Sequence, residues 1–360
     1  MKTAIVTGVS GVLGATCANY FTQMGFQVIG IRDPGTSNSV AGLRSSKDPF
    51  KADHPQLANC LLYSLDLRDA NGLERIFSDF SSDIRAVLLC PSEASTPDST
   101  QHPFESFSVN ANATLLFLEA LKQYAPRAAM VYYSSIKVYG DSPNFLPFVE
   151  QASRWELPIE HPFYKYGIDE QMSIDQTKHS ILGASKLAAD IMAQEYGRLF
   201  GLNIGVFRGS APAGPSPCNH SSDYLTTLMR SAVYNTPFLI CGYKGKQVRD
   251  TLHPLDLASS FYTFCMAPRA AEVYNIGGGR FSNCSVLEAI EICEAIVGHK
   301  ISSRYTDRNL VADQIWWISD TRKFKSHYPR WRPHYDTEGI LQEIHQQLLH
   351  EQPPPIALNF

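Results

Sequence analysis

Three glycines near the start of the chain have the spacing that phosphate binding by backbone groups requires. They stand at Gly8, Gly11 and Gly14. The first permits a tight turn, the second lets backbone N–H groups approach an anion without a Cβ in the way, and the third permits close packing of the following helix. This pattern predicts a site for the pyrophosphate of a dinucleotide. The other predicted contacts of the turn are Ser10, Val12 and Leu13.

The residues around this turn predict the unit that positions it. Residues 2–6 form a short apolar run, which is typical of a buried parallel strand. Residues 12–24 have a helical pattern that Gly25 ends, and residues 27–31 form a second apolar run. Strand, glycine turn, helix and strand make the βαβ unit that holds a dinucleotide at the helix N-terminus.

The end of the second run distinguishes between two forms of the dinucleotide. An acidic residue at this position accepts hydrogen bonds from the adenosine ribose in proteins that bind NAD. The sequence has Arg32 followed by Asp33. Arg32 suits the 2′-phosphate of NADP, whereas Asp33 suits the ribose diol of NAD. A solvated Arg at a strand end is a third interpretation, and the sequence leaves the choice open.

Further apolar runs extend this pattern to an α/β fold. They lie at residues 57–65, 86–89, 128–133 and 203–207, with helical segments at 104–124 and 180–200. We predict a doubly wound parallel sheet, a Rossmann-type NAD(P) domain, over residues 1–210. Ligands of such sheets bind beyond the carboxyl ends of the strands. There, residues 66, 89–91 and 134–135 are expected to meet the glycine turn.

The alternation of strands and helices breaks after Arg208. Residues 211–350 are predicted to form a smaller α+β lobe for the substrate, and residues 351–360 a tail. We expect the segments 236–241 and 271–276 to return to the main sheet as strands. The connection 141–178 is unusually long, and connections of this length are usually functional or ordered on a ligand.

Composition and charge exclude several classes of partner. The 360 residues are 44% hydrophobic and 18% charged, with a net charge of -4. This charge gives no reason to expect nucleic acid or an anionic membrane as partner, and no apolar run is long enough to span a bilayer. The first strand begins almost at Met1, so we expect no signal peptide. The cysteines are scattered without metal-ligand spacing, so we expect reduced thiols, no metal site and a cytoplasmic protein.

Several short motifs follow one another in an order that is typical of one family. They are Thr7–Gly14, Asp66–Asp69, Ser134-Ser135 before Val138-Tyr139-Gly140, Ser185-Lys186, Gln247–Asp250 with His253 and Asp256, Tyr274–Gly279, Asp313-Gln314 and Ile318–Asp320. Through them the chain resembles the extended short-chain dehydrogenase/reductase family, the nucleotide-sugar epimerases and dehydratases, over nearly its whole length. Within that family the CDP-paratose (CDP-tyvelose) 2-epimerases are the most similar.

The resemblance implies a cofactor, a substrate and roles for particular residues. The cofactor is NAD, with NADP as the alternative; the substrate is a nucleotide-diphosphate sugar. Ser135 matches the position that hydrogen-bonds the reacting sugar oxygen, Lys186 the lysine that binds the nicotinamide ribose, and Arg249 an arginine that grips the diphosphate. The other implied cofactor contacts are Arg32, Asp33, Asp66, Leu67, Leu89, Cys90, Pro91, Asn110 and Ser134. The other implied substrate contacts are Asn219 and Arg308. The resemblance also implies a homodimer through the helices at 104–124 and 180–200.

The sequence departs from the family pattern at two positions. The family's general base is a tyrosine four residues before the lysine, and Leu182 stands there. The family also tends to have an arginine three residues before Asp313, where this chain has Leu310. Arg308 lies two residues out of register with that position.

Leu182 permits three interpretations. In the first, another residue is the base: His179, if the helix extends that far, or Tyr164 or Tyr166 from the long connection. In the second, the reaction tolerates loss of the tyrosine, and in the third the protein only binds its ligand. We predict a nucleotide-sugar epimerase of the 2-epimerase type, with a dehydratase or lyase and a silent binding protein as alternatives.

Overall fold

Parallel strands form the centre of the computed structural model, which describes residues 2–34, 50, 54–90, 96–215, 223–309 and 313–351, except for the side chains of 96–98. The strands of these residues are β1 Thr3–Thr7, β2 Gln27–Arg32, β3 Leu61–Ser64, β4 Ile84–Leu89, β5 Ala129–Tyr133, β6 Val149–Glu150, β7 Trp155–Glu156, β8 Asn203–Arg208, β9 Phe238–Cys241, β10 Val248–Asp250, β11 Glu272–Asn275, β12 Asn283–Ser285, β13 Ser303–Thr306 and β14 Trp316–Trp317. Seven of them form one sheet in the order β11-β8-β5-β4-β1-β2-β3, and every neighbouring pair is parallel. The predicted doubly wound parallel sheet is confirmed. Its order reverses around β1, which places the ligand crevice at the carboxyl end of that strand.

Helices cover both faces of this sheet. The helices of the described residues are α1 Val12–Gln23, α2 Ala70–Asp79, α3 Thr96–Gln101, α4 Pro103–Phe107, α5 Ala113–Tyr124, α6 Ile181–Phe200, α7 Tyr224–Val233, α8 Pro254–Met266, α9 Val286–Val297, α10 Arg322–His327 and α11 Thr337–His350. One face packs on α1, α8 and α10, and the other on α2, α5 and α6. Alternate residues of β1 point to opposite faces, as Ala4 and Ile5 do, and both are fully buried. The central sheet is therefore the middle layer of three.

Helix α8 is an element that the sequence analysis missed. It begins with Pro254, and the side chain of His253 caps it by accepting a hydrogen bond from the backbone N–H of Leu255 at 3.1 Å. Proline is common at the first position of helices, so the start of α8 could have been predicted from the sequence. The helix buries Phe261 and Phe264 against the sheet.

The predicted helix over residues 104–124 is interrupted. A π-helical turn, Ser108–Asn112, separates α4 from α5. Such turns are rare and occur frequently at functional sites. This one contains Asn110, a predicted cofactor contact, and buries its side chain.

The C-terminal part of the chain forms a second region with its own core. Strands β12, β10 and β14 make one small sheet, and β13 pairs with β9 in another. The expectation that segment 236–241 joins the main sheet is wrong, because β9 pairs with β13. Segment 271–276 does supply a strand of the main sheet, since β11 pairs with β8. Helices α7, α9 and α11 pack together over the small sheets.

The long connection 141–178 is tied to the second region by its own backbone and side chains. The backbone N–H of Trp155 donates to the carbonyl of Lys246 at 2.8 Å, and Ile168 bridges to Ser319. Arg154 pairs with Glu288 at the start of α9. Because these contacts hold the two regions of the chain together, we call residues 141–178 the strap.

Glu288 completes the capping box of α9. It accepts a hydrogen bond from the backbone N–H of Ser285 at 2.9 Å, and Ser285 Oγ accepts one from the backbone N–H of Glu288 at 3.1 Å. Burial raises the pKa of Glu288, but the hydrogen bonds from Arg154, Ser285 and Ser153 outweigh it and lower this pKa to about 2. The carboxylate is thus stabilised in the folded state.

We expect Glu288→Gln to lower the free energy of unfolding at pH 7 by about 1.5–3 kcal/mol, the range for hydrogen bonds to a charged group. Because the folded pKa lies below the ordinary value of 4.5, this contribution is complete above pH 4.5 and is lost as pH falls toward 2. Urea unfolding at pH 7 and at pH 2.5 measures it. The control is Glu291→Gln, an exposed residue of the same helix. A difference between wild type and Glu288→Gln that stays the same at both pH values contradicts the prediction.

Candidate nucleotide-sugar site

The glycine turn has the geometry that its spacing predicts. Gly8 has φ +67°, a conformation that favours glycine, at the end of β1. A Cβ on Gly14 would lie 2.2 Å from the carbonyl oxygen of Gly8, so only glycine permits this approach of α1 to the strand. A Cβ on Gly11 would meet the same oxygen at 3.4 Å, an ordinary contact. Gly8 and Gly14 are therefore required by the fold itself, whereas Gly11 is available for close approach of a ligand.

Arg32 is buried at the end of β2, with 2% of its surface exposed. Its guanidinium lies 4.6 Å from the ring centroid of Phe50, which stacks on His54 at 3.9 Å. The interpretation of Arg32 as a solvated strand-end residue is wrong, because this aromatic pair covers it. Asp33 is exposed beside it.

The ends of β3 and β4 hold further residues predicted to contact the cofactor. The carboxylate of Asp66 accepts hydrogen bonds from Arg68, which lower its pKa. Cys90 is buried, and its backbone N–H donates to Thr7 Oγ1 at 3.0 Å, which joins the ends of β4 and β1. Leu67 and Leu89 pack in the core beneath, and Pro91 lies outside the described residues.

Helix α6 carries the predicted lysine and the leucine that replaces the tyrosine. Ser180 caps the helix by accepting from the backbone N–H of Gly183 at 3.0 Å. Leu182 and Lys186 lie one turn apart and are 6% and 1% exposed. Ser185, beside Lys186, accepts a hydrogen bond from Asn110 Nδ2 at 3.0 Å.

Asn110 has a buried acceptor that the described residues leave unpaired. Its side chain is 2% exposed, and Oδ1 has no hydrogen-bond partner among the described residues. A buried carbonyl without a donor costs free energy, so its position fits a ligand that supplies one. Together with the glycine turn, this oxygen meets the requirement for a bound dinucleotide.

Ser135 lies at the tip of β5 and begins the 3₁₀ turn Ile136–Tyr139. Its Oγ accepts a hydrogen bond from the backbone N–H of Lys137 at 3.2 Å. This turn packs directly on the first turn of α6, because a Cβ on Gly183 would lie 2.7 Å from the carbonyl of Lys137. Ser135 is therefore adjacent to the part of α6 that begins with Leu182.

A network of buried hydrogen bonds holds the 3₁₀ turn Ile136–Tyr139 in place. Ser134 Oγ donates to Asp190 Oδ2 at 2.6 Å, and Asp190 also accepts from Arg208 in a two-pronged pair at 2.8 and 2.9 Å. Arg208 donates to the hydroxyl of Tyr139 at 3.0 Å, and that hydroxyl donates to Asn275 at 2.7 Å. The network therefore joins β5, α6, β8 and β11 behind the predicted site.

Sequence reasoning missed Asp190 and Arg208. One signal was present, since Asp190 stands four residues after Lys186 and so lies on the same side of the helix. Arg208 ends a buried strand, a position where a charge requires a partner. The pairing itself joins residues 18 positions apart through the fold.

His179 precedes α6 and is held by backbone carbonyls. Nε2 lies 2.8 Å from the carbonyl oxygen of Val138, and Nδ1 lies 3.1 Å from that of Thr177. The condition that the helix extends to His179 is not met, because α6 begins at Ile181 after its Ser180 cap. In this arrangement the ring joins the segment before α6 to the 3₁₀ turn.

Tyr164 and Tyr166, the other predicted bases, pack against arginine side chains. The guanidinium of Arg280 lies 5.0 Å from the ring of Tyr164, and that of Arg322 lies 3.9 Å from the ring of Tyr166. Both rings therefore belong to the packing of the strap.

The predicted diphosphate ligand, Arg249, is held in β10 by neighbouring groups. It pairs with the carboxylate of Asp313 and donates to the carbonyls of Gln314 and Val248. Arg308 is exposed in the segment after β13. Asn219 and Leu310 lie outside the described residues. Of the two predicted arginines, Arg249 is thus engaged by neighbouring groups, whereas Arg308 is exposed.

Neither a metal cluster nor a membrane-spanning helix is found among the described residues. These residues contain no group of three or more His, Cys, Asp or Glu side chains that could hold a metal ion. Nor do they form a helix long and apolar enough to cross a bilayer.

Comparison with known proteins gives matches along nearly the whole chain. The family model for GDP-mannose 4,6 dehydratase matches residues 5–343. The CDP-paratose 2-epimerase of Salmonella typhi is 28% identical over 353 residues, which cover 95% of this chain and 97% of that protein. The UDP-glucuronate 4-epimerase of Thermodesulfobacterium geofontis is 25% identical over 340 residues, which cover 94% of this chain and 93% of that protein.

Solved structures share the fold. The UDP-glucose 4-epimerase of Thermotoga maritima, crystallised with UDP-glucose, has a TM-score of 0.75 at 21% identity and covers 96% of this chain and 98% of its own. The dTDP-glucose 4,6-dehydratase of Bacillus anthracis, crystallised with NAD, has a TM-score of 0.73 at 22% identity and covers 97% of each chain. Fold and glycine turn define a Rossmann-type protein of the extended short-chain dehydrogenase/reductase class. Within that class the chain belongs to the GDP-mannose 4,6-dehydratase family.

The buried ion pair behind the site is expected to contribute strongly to stability. Asp190→Ala leaves Arg208 buried without its carboxylate. We therefore expect the free energy of unfolding to be about 3–5 kcal/mol lower than in wild type. The matched control is Glu195→Ala on the same helix, whose pair with Arg198 is exposed and should contribute less than about 1 kcal/mol. Urea unfolding measures both variants. Equal losses in the two variants contradict the prediction.

Proposed function

We propose that this protein is an NAD-dependent nucleotide-sugar epimerase of the CDP-paratose 2-epimerase type. One observation carries the proposal. The hydrogen bond from Ser134 to Asp190 sets the residue before Ser135 against α6, one turn beyond Lys186. The hydroxyl predicted to contact the sugar and the lysine predicted to contact the cofactor are thereby held on adjacent elements. The similarity to the Salmonella typhi CDP-paratose 2-epimerase supports the choice of reaction.

The proposed cofactor is NAD, a choice that the surroundings of Arg32 support. The guanidinium of Arg32 is buried over Phe50, whereas Asp33 is exposed at the strand end where a ribose diol is expected. The Bacillus anthracis dehydratase was crystallised with NAD. The residues proposed to hold the cofactor are Gly8, Ser10, Gly11, Val12, Leu13, Gly14, Asp33, Asp66, Asn110 and Lys186.

In this proposal the chain's own residues bind, orient and relay protons. Bound NAD supplies a hydride acceptor and donor. Ser135 hydrogen-bonds the reacting sugar oxygen, and the charge of Lys186 orients the ribose and favours a negative oxygen nearby. Arg249 offers its donors to the diphosphate, which requires that it exchange part of its contact with Asp313.

His179 is the proposed proton acceptor in place of the missing tyrosine. A neutral imidazole donates to only one of the two carbonyls that face it, whereas an imidazolium donates to both. In the neutral ring, the nitrogen that carries no proton keeps the lone pair that a proton acceptor requires, and it lies beside the carbonyl of Val138 or Thr177. Both nitrogens are already in contact, so the ring must turn away from one carbonyl to reach a sugar hydroxyl.

A specific observation favours a second candidate function, binding without turnover. Leu182 stands at the tyrosine position and is only 6% exposed. Its side chain cannot take a proton. Together with the two carbonyl contacts of His179, this arrangement supports a protein that binds a nucleotide sugar and leaves it unchanged.

We also propose a homodimer formed through α5 and α6. These helices expose large apolar side chains, namely Leu115, Ile191, Met192, Leu199 and Phe200. Exposed apolar surface of this kind marks an interface with another chain. Sedimentation velocity of the whole chain tests the proposal.

A cytoplasmic location is proposed from the cysteines. All seven in the described residues are free thiols, and most are buried. Such use of cysteine is typical of a reducing compartment.

Proton NMR in D₂O with NAD and a panel of CDP-, UDP-, GDP- and dTDP-sugars tests the function. We expect a CDP-sugar to give a new isomer. Inversion without deuterium at a ring carbon indicates hydride removal and return, whereas incorporation indicates enolisation. Gly14→Ala places a Cβ against the Gly8 carbonyl and should abolish turnover, while Gly339→Ala, at the start of α11, should not. If every sugar returns unchanged while one raises the Tm, the binding function replaces the epimerase.

Variants of His179 distinguish a role in proton transfer from a structural role of its contacts with the Val138 and Thr177 carbonyls. If His179 accepts the proton, His179→Ala lowers kcat by about 10²-fold or more and removes one limb of the pH profile, with NAD affinity unchanged. His179→Gln can still donate to the Val138 carbonyl, so it keeps this structural contact but cannot accept the proton. We expect the same loss of kcat in both variants. A His179→Gln variant with wild-type rate and pH profile removes His179 from proton transfer.

A further inference from the structure

An open cavity of about 350 Å³ lies beside α1. Its walls come from α1, the 3₁₀ turn Pro55–Leu57, the start of α8 and helix α11, so elements from distant parts of the chain line it. The volume is at the lower end of the range for small-molecule sites. The described lining shares no residue with the predicted cofactor and substrate contacts.

A carboxylate and an imidazole face each other in this cavity. His253 is 3% exposed, and Nδ1 accepts from the backbone N–H of Leu255, which assigns the ring proton to Nε2. Nε2 lies 3.1 Å from Glu343 Oε2, and the ring stacks on Tyr335 at 4.0 Å. Burial lowers the pKa of His253 and so favours the neutral ring, whereas the charges of Glu343 and Asp256 act in the opposite direction. Glu343 therefore lies beside the imidazole at the wall of the cavity.

The other polar groups of the described lining are neutral. They are the hydroxyl of Thr16 and the amides of Asn19, Gln56 and Gln347. Nε2 of Gln56 is buried and has no hydrogen-bond partner in the described part of the chain. The cavity therefore combines one negative charge with amides that can donate to and accept from hydroxyl groups.

We infer that this cavity is a second binding site, for a small polyhydroxylated amine of amino-sugar type. The ammonium pairs with Glu343, and the hydroxyl groups exchange hydrogen bonds with the amides of Asn19 and Gln56. Apolar contacts come from Ala15 and Pro254. Because the inference rests on charge and hydrogen-bond capacity at this cavity, it is independent of the proposed reaction.

Glucosamine and glucose form a matched pair of probes, since they differ at one position by an ammonium in place of a hydroxyl. Saturation-transfer NMR and calorimetry on the whole chain at pH 7 should show glucosamine binding at least tenfold tighter than glucose. Glu343→Gln should remove this preference, while Glu338→Gln, an exposed residue of the same helix, should retain it. Equal binding of the two sugars by wild type, or an unchanged preference in Glu343→Gln, overturns the inference.

Two further measurements keep the site distinct from the crevice and from loss of folding. Saturating NAD and CDP should leave glucosamine bound, so displacement by either assigns it to the nucleotide-sugar site and overturns the inference. Gln56→Leu removes the buried amide without changing charge and should weaken glucosamine binding severalfold with the Tm retained. Unchanged affinity in Gln56→Leu also overturns the inference.

Discussion

The arrangement of the candidate site depends on two opposite charges buried between α6 and β8. Asp190 and Arg208 are 0% and 4% exposed, so both have lost their hydration, a cost that only good geometry and further hydrogen bonds offset. The guanidinium makes two hydrogen bonds to the carboxylate, and the oxygens of Asp190 also accept from Ser134 and Gln194. Because Ser134 precedes Ser135 and Lys186 lies one turn before Asp190, this pair fixes both predicted functional groups at once.

The same network reaches the second region through Tyr139. Burial raises the pKa of Tyr139 to about 12, with Arg208 opposing the rise, so the hydroxyl remains a neutral donor to Asn275. Asn275 in turn donates to the carbonyl of Ile168, in the strap that pairs with Ser319. The position of the second region relative to the crevice is therefore coupled to the ion pair by a continuous chain of hydrogen bonds.

Local features were predictable from the sequence, and long-range ones were not. The glycine turn depends on residues within one βαβ unit, so spacing alone was sufficient to identify it. The burial of Arg32 depends on Phe50, 18 positions later, and the partner of β9 lies more than 60 residues away in β13. Neither pairing has a signal in local periodicity. The break of the helix at Ser108–Asn112 also depends on packing, since Asn110 is held by Ser185 of α6.

Leu182 separates two properties that the tyrosine of the family combines. A tyrosine one turn before Lys186 supplies a proton donor and acceptor, and the lysine supplies charge for the ribose. Leu182 removes the first property, while Lys186 is retained with 1% of its surface exposed. A buried ammonium loses hydration at a cost on the order of several kcal/mol, so keeping Lys186 at this position requires interactions that compensate it. The position that the family resemblance assigns to cofactor binding thus keeps its residue type, whereas the position assigned to proton transfer does not, and cofactor binding is the property of this site that rests least on the identity of the base.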